Sequence, residues 1–266
     1  MNHTFENGSP VNRQAQRGVT LIELMVGITI GLLVVLAATG TMVLNRVSAN
    51  TVSDTSMVTA QANNAMRLLT YTLRNTGAFE LQPTNTGAVA AQQIFNLGDP
   101  AAAAPATIVG VNGASGAPDE FTASFSNRAG TATRDCLGNQ AANVHDNIPN
   151  RFFIDGVNLS CQGIAGNNAQ PIAENIEDLQ VMYLTEMGGG TNRWLNADGV
   201  IALGATAWNQ VIAAEICIQV RGDINHGTAL TDRNFVNCSN VSTAHTGEYR
   251  VVLRQTVQLR NRMNNI

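Results

Sequence analysis

The stretch RGVTLIELMVGITIGLLVVLAATG, Arg17 to Gly40, decides the fold. It is apolar over most of its length, yet Glu23 stands near its start, behind a polar leader. From Leu24 to Leu44 the chain runs 21 residues without a charge. As a helix that run is about 31 Å long, against about 30 Å of hydrocarbon in a bilayer. Arg13 and Arg17 precede it and Arg46 follows. The leading pair favours an amino terminus on the cytoplasmic side. Gly27 and Gly31 lie four apart, a spacing that lets helices approach closely and is also common in membrane helices generally.

A secretory signal peptide is the first alternative. The basic start, the apolar core and the small residues Ala38-Thr39-Gly40 all suit one. The apolar run is longer than a usual signal core, however, and Glu23 falls where such a signal keeps its chain uncharged. A carboxylate in hydrocarbon is costly unless paired or protonated. A chain that keeps one there is expected to supply it with a partner.

Downstream, Val58, Ala62, Ala65, Leu69 and Leu73 repeat at helical spacing and make one apolar stripe. Gln61, Asn64, Arg67 and Arg74 fall off it, and Gly77 is a natural stop. The pattern predicts one helix from Thr20 to Thr76, apolar all round in its first half and amphipathic in its second. The stripe needs a sheet to cover it.

The chain has 266 residues, enough for one sizeable domain plus an anchor. All 15 basic residues are Arg, and the formal net charge is −4. The arginines are scattered, so no basic patch for nucleic acid forms. Few residues are charged or aromatic, and Gly, Asn, Thr, Ala and Ser fill the middle, as in a loop-rich extracytoplasmic protein. Cys136, Cys161, Cys217 and Cys238 form no C-x-x-C pair, which argues against zinc-ribbon and redox motifs. In an exported chain an even number favours disulfides. Three pairings are open. The sequential one, Cys136–Cys161 with Cys217–Cys238, closes two local loops and is the expectation; four buried thiols are the alternative.

Residues 77–116 read as a long connecting loop, with Ala101 to Ala106 of low complexity. Strand signals follow at Phe121 to Phe125, Arg151 to Leu159 and Leu179 to Leu184, the last after a short helical turn from Pro171 to Asp178. Ile216, Ile218 and Val220 alternate with Glu215, Cys217, Gln219 and Arg221. Val251, Leu253, Val257 and Leu259 continue the alternation near the end. These read as half-buried antiparallel strands. The fold class is therefore α+β: a long amino-terminal helix laid on an antiparallel sheet, with long loops.

Gly18-Val19-Thr20-Leu21-Ile22-Glu23 followed by an apolar run resembles the type III signal of type IV pilins and type II secretion pseudopilins. The resemblance implies cleavage by a prepilin peptidase between Gly18 and Val19, with Val19 becoming the N-methylated first residue. The family usually has Phe there. Glu23 would then pair with the new terminal amine, its own or a neighbour's, and so hold subunits in register. ENIEDLQVMYL, Glu174 to Leu184, and RQTVQLRNR, Arg254 to Arg262, resemble segments of the PilW family of minor pilins. The implied organisation is a leader over 1–18, a transmembrane and polymerisation helix over 19–45, its amphipathic continuation over 46–77, and an exported head over 78–266.

A search for chemistry leaves no catalytic constellation. His3, His145, His226 and His245 make no H-E-x-x-H, and neither a nucleophile elbow nor a Walker sequence is present. His145-Asp146 reads as a solvated loop and Gly188-Gly189-Gly190 as a turn. Asp223-Ile224-Asn225-His226-Gly227 faintly resembles a calcium loop, with its Gly misplaced and no closing Glu. The expectation is a structural protein, not an enzyme, with no cofactor and no metal. As a minor pilin it would help start or cap a pilus. Its partners would be a prepilin peptidase, other minor pilins, the major pilin and a large tip adhesin. It would sit in the bacterial inner membrane with a periplasmic head, then at or near the pilus tip. A J-class pseudopilin of type II secretion is the nearest rival. A membrane-anchored binding module and a secreted enzyme are rivals of other classes.

Overall fold

A computed structural model describes residues 18–78, 107–127, 133–142, 147–164, 166, 168–204, 206–226 and 233–261. The chain divides into two units, Met1–Asn50 and Thr51–Ile266.

In the first unit the described residues after Thr20 are all helical and exposed. They begin helix α1, Leu21–Asn75. This helix is long and apolar enough to cross a membrane, and none of its most apolar 18-residue window is buried within the chain. Thr29, Thr39 and Thr41 turn their hydroxyls back to donate to the carbonyls of Val26, Val35 and Ala38, each at 2.9 Å. These bonds satisfy polar groups locally, as an apolar surrounding requires.

In the second unit, Val58, Ala62, Ala65, Leu69 and Leu73 are all buried, as their spacing predicts. Gln61 is half-buried, while Asn64, Arg67 and Arg74 face outward. Gly77 ends the helix for two reasons. Its φ of +74° favours glycine, and a Cβ there would stand 2.1 Å from the Asn261 carbonyl oxygen. Its own N–H donates to Ser124 O at 2.8 Å, which hands the chain to the head.

The head contains two principal antiparallel sheets. The five-stranded one is a meander of β1 (Ile108–Val111), β2 (Glu120–Ser126), β3 (Asn147–Asp155), β4 (Asn158–Gln162) and β5 (Gln170–Ala173). The four-stranded one uses β6 (Ile176–Met187), β7 (Thr191–Leu195), β8 (Val211–Asn225) and β11 (Glu248–Gln258), in the order β11-β8-β6-β7. Between β7 and β8 lies the one-turn helix α2 (Ala197–Ile201), and β9 (Asn234–Val236) with β10 (Ser242–Ala244) forms a small ribbon. One core joins the α1 stripe to Ile176, Leu179, Ile216, Ile218 and Val220 of the second sheet and to Phe121 and Phe152 of the first. The helix stripe is thus covered by strands, and the α+β class holds.

Three local expectations are corrected. The segment Arg151 to Leu159 is not one strand but a hairpin, because Asp155 pairs with Asn158 across Gly156-Val157. A glycine at the first position of a two-residue loop favours such turns, and Gly156 has φ +64°. Pro171 to Asp178 is not a helical turn. Pro171 lies in β5, at the edge of its sheet, where its missing N–H costs no ladder bond. Asn175, at φ +59°, turns the chain into β6. Finally, β1 lies inside the segment read as loop. Its four residues are too few to show a period, and they become a strand by pairing with β2. Residues 79–106 of that loop, with Ala101 to Ala106, lie outside the described residues.

Candidate functional site: the amino-terminal helix and its start

Gly18, Val19 and Thr20 are exposed and precede the helix. Thr20 is the residue that starts it. Its Oγ1 accepts from the Glu23 N–H at 3.3 Å, and its carbonyl accepts from the Leu24 N–H at 3.1 Å. A threonine in this position satisfies one of the orphan N–H groups of the first turn. Glu23 follows three residues later, in that first turn. Thr20-Leu21-Ile22-Glu23 is therefore the S/T-x-x-E pattern of a capping box, a signal in the sequence that the family resemblance overshadowed. A carboxylate here also faces the positive end of the helix dipole.

Three structural features fall on six consecutive residues. Gly18 and Val19 are exposed. Thr20 fixes where the helix begins. Glu23 projects into the surroundings from the first turn. Past them the helix shows apolar side chains on every face, with Leu24, Ile28, Leu32, Val35 and Leu36 among the exposed ones. At Gly27, Gly31 and Gly40 no atom of the chain lies within 4 Å of where a Cβ would stand. All the space at those glycines is available to neighbours.

The head holds the cysteines. Cys136 is joined to Cys161 and Cys217 to Cys238, with Cα separations of 6.4 and 5.6 Å. The bridges close 25- and 21-residue intervals, each worth about 3–4 kcal/mol by loop entropy. The first ties a loop to β4, and the second ties the β9–β10 turn to β8.

The faint calcium-loop pattern resolves into structural contacts. Asp223 Oδ1 accepts from Asn175 Nδ2 at 2.7 Å, and His226 Nε2 lies 2.8 Å from Asp54 Oδ2. Gly227 lies outside the described residues, as do His145, Asp146 and residues 1–17 with His3. Gly188 to Gly190 form the turn from β6 to β7. Asp54 was not singled out by sequence reasoning, although it stands four residues before Val58 on the same stripe.

Two family models match the chain. The prokaryotic N-terminal methylation motif covers residues 13–39, and the type IV pilus-assembly protein W model covers residues 150–261. Among curated proteins no sequence matches. Among solved structures, a type IV-like pilin from Thermus thermophilus aligns at 13% identity and TM-score 0.46, over 76% of this chain and 95% of that one. The GspK-GspI-GspJ complex of the type 2 secretion system from enterotoxigenic Escherichia coli aligns at 9% identity and TM-score 0.35. That alignment covers 76% of this chain and 96% of that one. The chain belongs to the type IV pilin superfamily, on the evidence of its methylation motif and the helix that motif opens. Its head is of the PilW kind, since the second match runs from within β3 to just past β11.

Proposed function

We propose that this protein is a minor pilin of a type IV pilus, anchored by α1 and polymerising through it. One observation supports this most directly. A methylation motif and a capped apolar helix with Glu23 in its first turn stand on the same chain as a PilW-type head. The first half of the helix offers apolar side chains and open glycines to neighbouring helices. The second half is consumed by the head.

In this reading a prepilin peptidase cuts between Gly18 and Val19, and Val19 is then N-methylated. Glu23 is the fifth residue of a mature chain that begins at Val19, four positions from the new amine. Glu23 neutralises an amine in the apolar bundle, and a subunit slipped along the bundle leaves both charges unpaired. The carboxylate therefore sets register as well as solubility in the bundle. The head remains on the periplasmic side until the filament carries it outward. There it starts or caps the pilus beside other minor pilins, the major pilin and a tip adhesin.

Intact-mass measurement of the chain purified from membranes tests the reading. The expected species begins at N-methylated Val19. A chain beginning at Thr41, or one that keeps its leader, overturns it.

A further inference from the structure

We propose that the outer face of the four-stranded sheet carries a binding groove for a neutral saccharide. The inference is independent of the pilin reading, because it rests only on the head.

Strand register builds the floor. Gln180, Cys217 and Arg254 lie side by side on β6, β8 and β11, and Met182, Glu215 and Thr256 form the next row. Opposite residues of an antiparallel pair share a face. This face is turned away from the one bearing Leu179, Ile216 and Ile218, which is buried in the core. Trp194 is opposite Leu184 and extends the floor onto β7. The groove above it has a volume of about 420 Å³, within the range of small-ligand sites.

The walls are built from groups already committed to the protein. On one side Asp119 accepts from the N–H groups of Gly113 and Val181, both at 2.8 Å. Asn196 caps α2 by accepting from Gly199 N–H at 3.0 Å, and its Nδ2 donates to Asn112. On the other side the Cys217–Cys238 bridge holds the β9–β10 turn. Arg254 pins the same turn by donating to the carbonyls of Asn237 and Cys238 at 2.9 and 2.7 Å. A ligand would meet a surface that does not have to be ordered on binding.

The uncommitted groups define the ligand. Trp194 is 40% exposed and Met182 37%, so an indole and a thioether present apolar surface. Among the described residues Glu215 is engaged only by long contacts, 3.6 Å to Arg254 and 3.5 Å to Thr256, and it keeps accepting capacity. Among the described residues no hydrogen bond engages the side chains of Ser239 or Asn240 at the rim. Glu215 and Arg254 offset each other, so the floor favours neither an anion nor a cation. An aromatic face beside acid, amide and hydroxyl groups matches a pyranose, which has C–H faces and hydroxyl edges. The core of a protein interface, by contrast, is depleted of carboxylates such as Glu215.

The test uses the full chain in phosphatidylcholine nanodiscs, avoiding sugar-based detergents. Lactose, maltose, cellobiose and chitobiose are titrated by calorimetry and by tryptophan fluorescence up to about 10 mM. At least one should bind saturably. Trp208 is buried edge-on against Tyr183, so the fluorescence change should report Trp194. Trp194→Ala and Glu215→Gln should each weaken binding at least about tenfold by calorimetry, with the near-ultraviolet signature of Trp208 retained. Saturable binding by none of the four sugars overturns the proposal, as does binding that both variants leave unchanged. Protection of Trp194 from oxidation by a co-assembled pilin subunit would also overturn it, by assigning the face to a protein.

Discussion

The Asp54 carboxylate on α1 lies 2.8 Å from the His226 imidazole that follows β8, and both side chains are nearly buried. The contact fixes the first turn of the helix stripe against the end of a central strand. Gly222 makes room for it, since a Cβ there would stand 2.6 Å from Asp54 Oδ2. Gly222→Ala should therefore push the carboxylate off His226 and destabilise the head by about 1–3 kcal/mol. Asp54→Ala should cost about the same by leaving the imidazole unpartnered. Denaturant titration of the two single variants and the double variant checks the coupling. The double variant should lose less than the sum, because the clash needs Asp54 to be present.

The long helix was legible because its two halves carry two unambiguous signals. One is a charge-free run of membrane length, and the other is an apolar stripe at helical spacing. β8 and β11 were legible for the same reason, through alternation over many residues. The misread elements are short or broken. β1 has four residues, the β3–β4 hairpin hides its turn in a single Asp-Gly step, and β5 contains a proline that reads as punctuation. Asp54 escaped notice because pattern reading scores a carboxylate as surface, and its distant partner His226 helps to make its burial tolerable. The groove over the second sheet was equally hidden. Its floor alternates with the core residues, but its walls come from segments that only the fold brings together.

Thr20 and Glu23 make separable predictions. Thr20→Ala removes the hydroxyl that caps the helix, and should fray its first turn at a cost of about 1 kcal/mol. Glu23→Gln keeps a capping-box side chain but removes the charge. If Glu23 acts through charge, Glu23→Gln should block incorporation into filaments as fully as Glu23→Ala, whereas Thr20→Ala should reduce it only partly. Sheared-filament fractions probed for this protein supply the measurement. Normal incorporation of Glu23→Gln would remove the charge-pairing role and leave only the cap.

The two disulfides should differ in what their loss disturbs. Breaking either by Cys→Ser replacement should lower stability by about 3–4 kcal/mol on loop entropy. Cys217 and Cys238 also hold a wall of the proposed groove, so Cys238→Ser should change the exposure of Trp194. Cys136→Ser should leave Trp194 as it is, because its partner Cys161 lies in the other sheet. Acrylamide quenching of the exposed tryptophan distinguishes the two. Equal quenching changes in both variants would mean that the head responds to either loss as a whole.

Glu177 gives the head an acid-sensitive tie. Arg250 donates to both of its oxygens, at 2.8 and 3.1 Å, and Gln219 donates to one at 2.9 Å. Burial pushes the Glu177 carboxyl up, but the bonds from Arg250 and Gln219, with the charges of Arg250 and Arg221, pull it below the ordinary glutamate range. A carboxyl whose folded pKa is depressed binds its proton less readily than in the unfolded chain. Its contribution is therefore complete above the ordinary glutamate pKa and is lost as pH falls through the folded value. Glu177→Gln should lower Tm at pH 7, and its difference from the parent should shrink below about pH 4. Arg250→Gln should show the same narrowing, since the carboxylate then loses its principal partner. Thermal unfolding of all three proteins from pH 7 to about pH 3 measures it. A Tm difference that stays constant across that range would show that packing, and not the ionised carboxylate, is what Glu177 contributes.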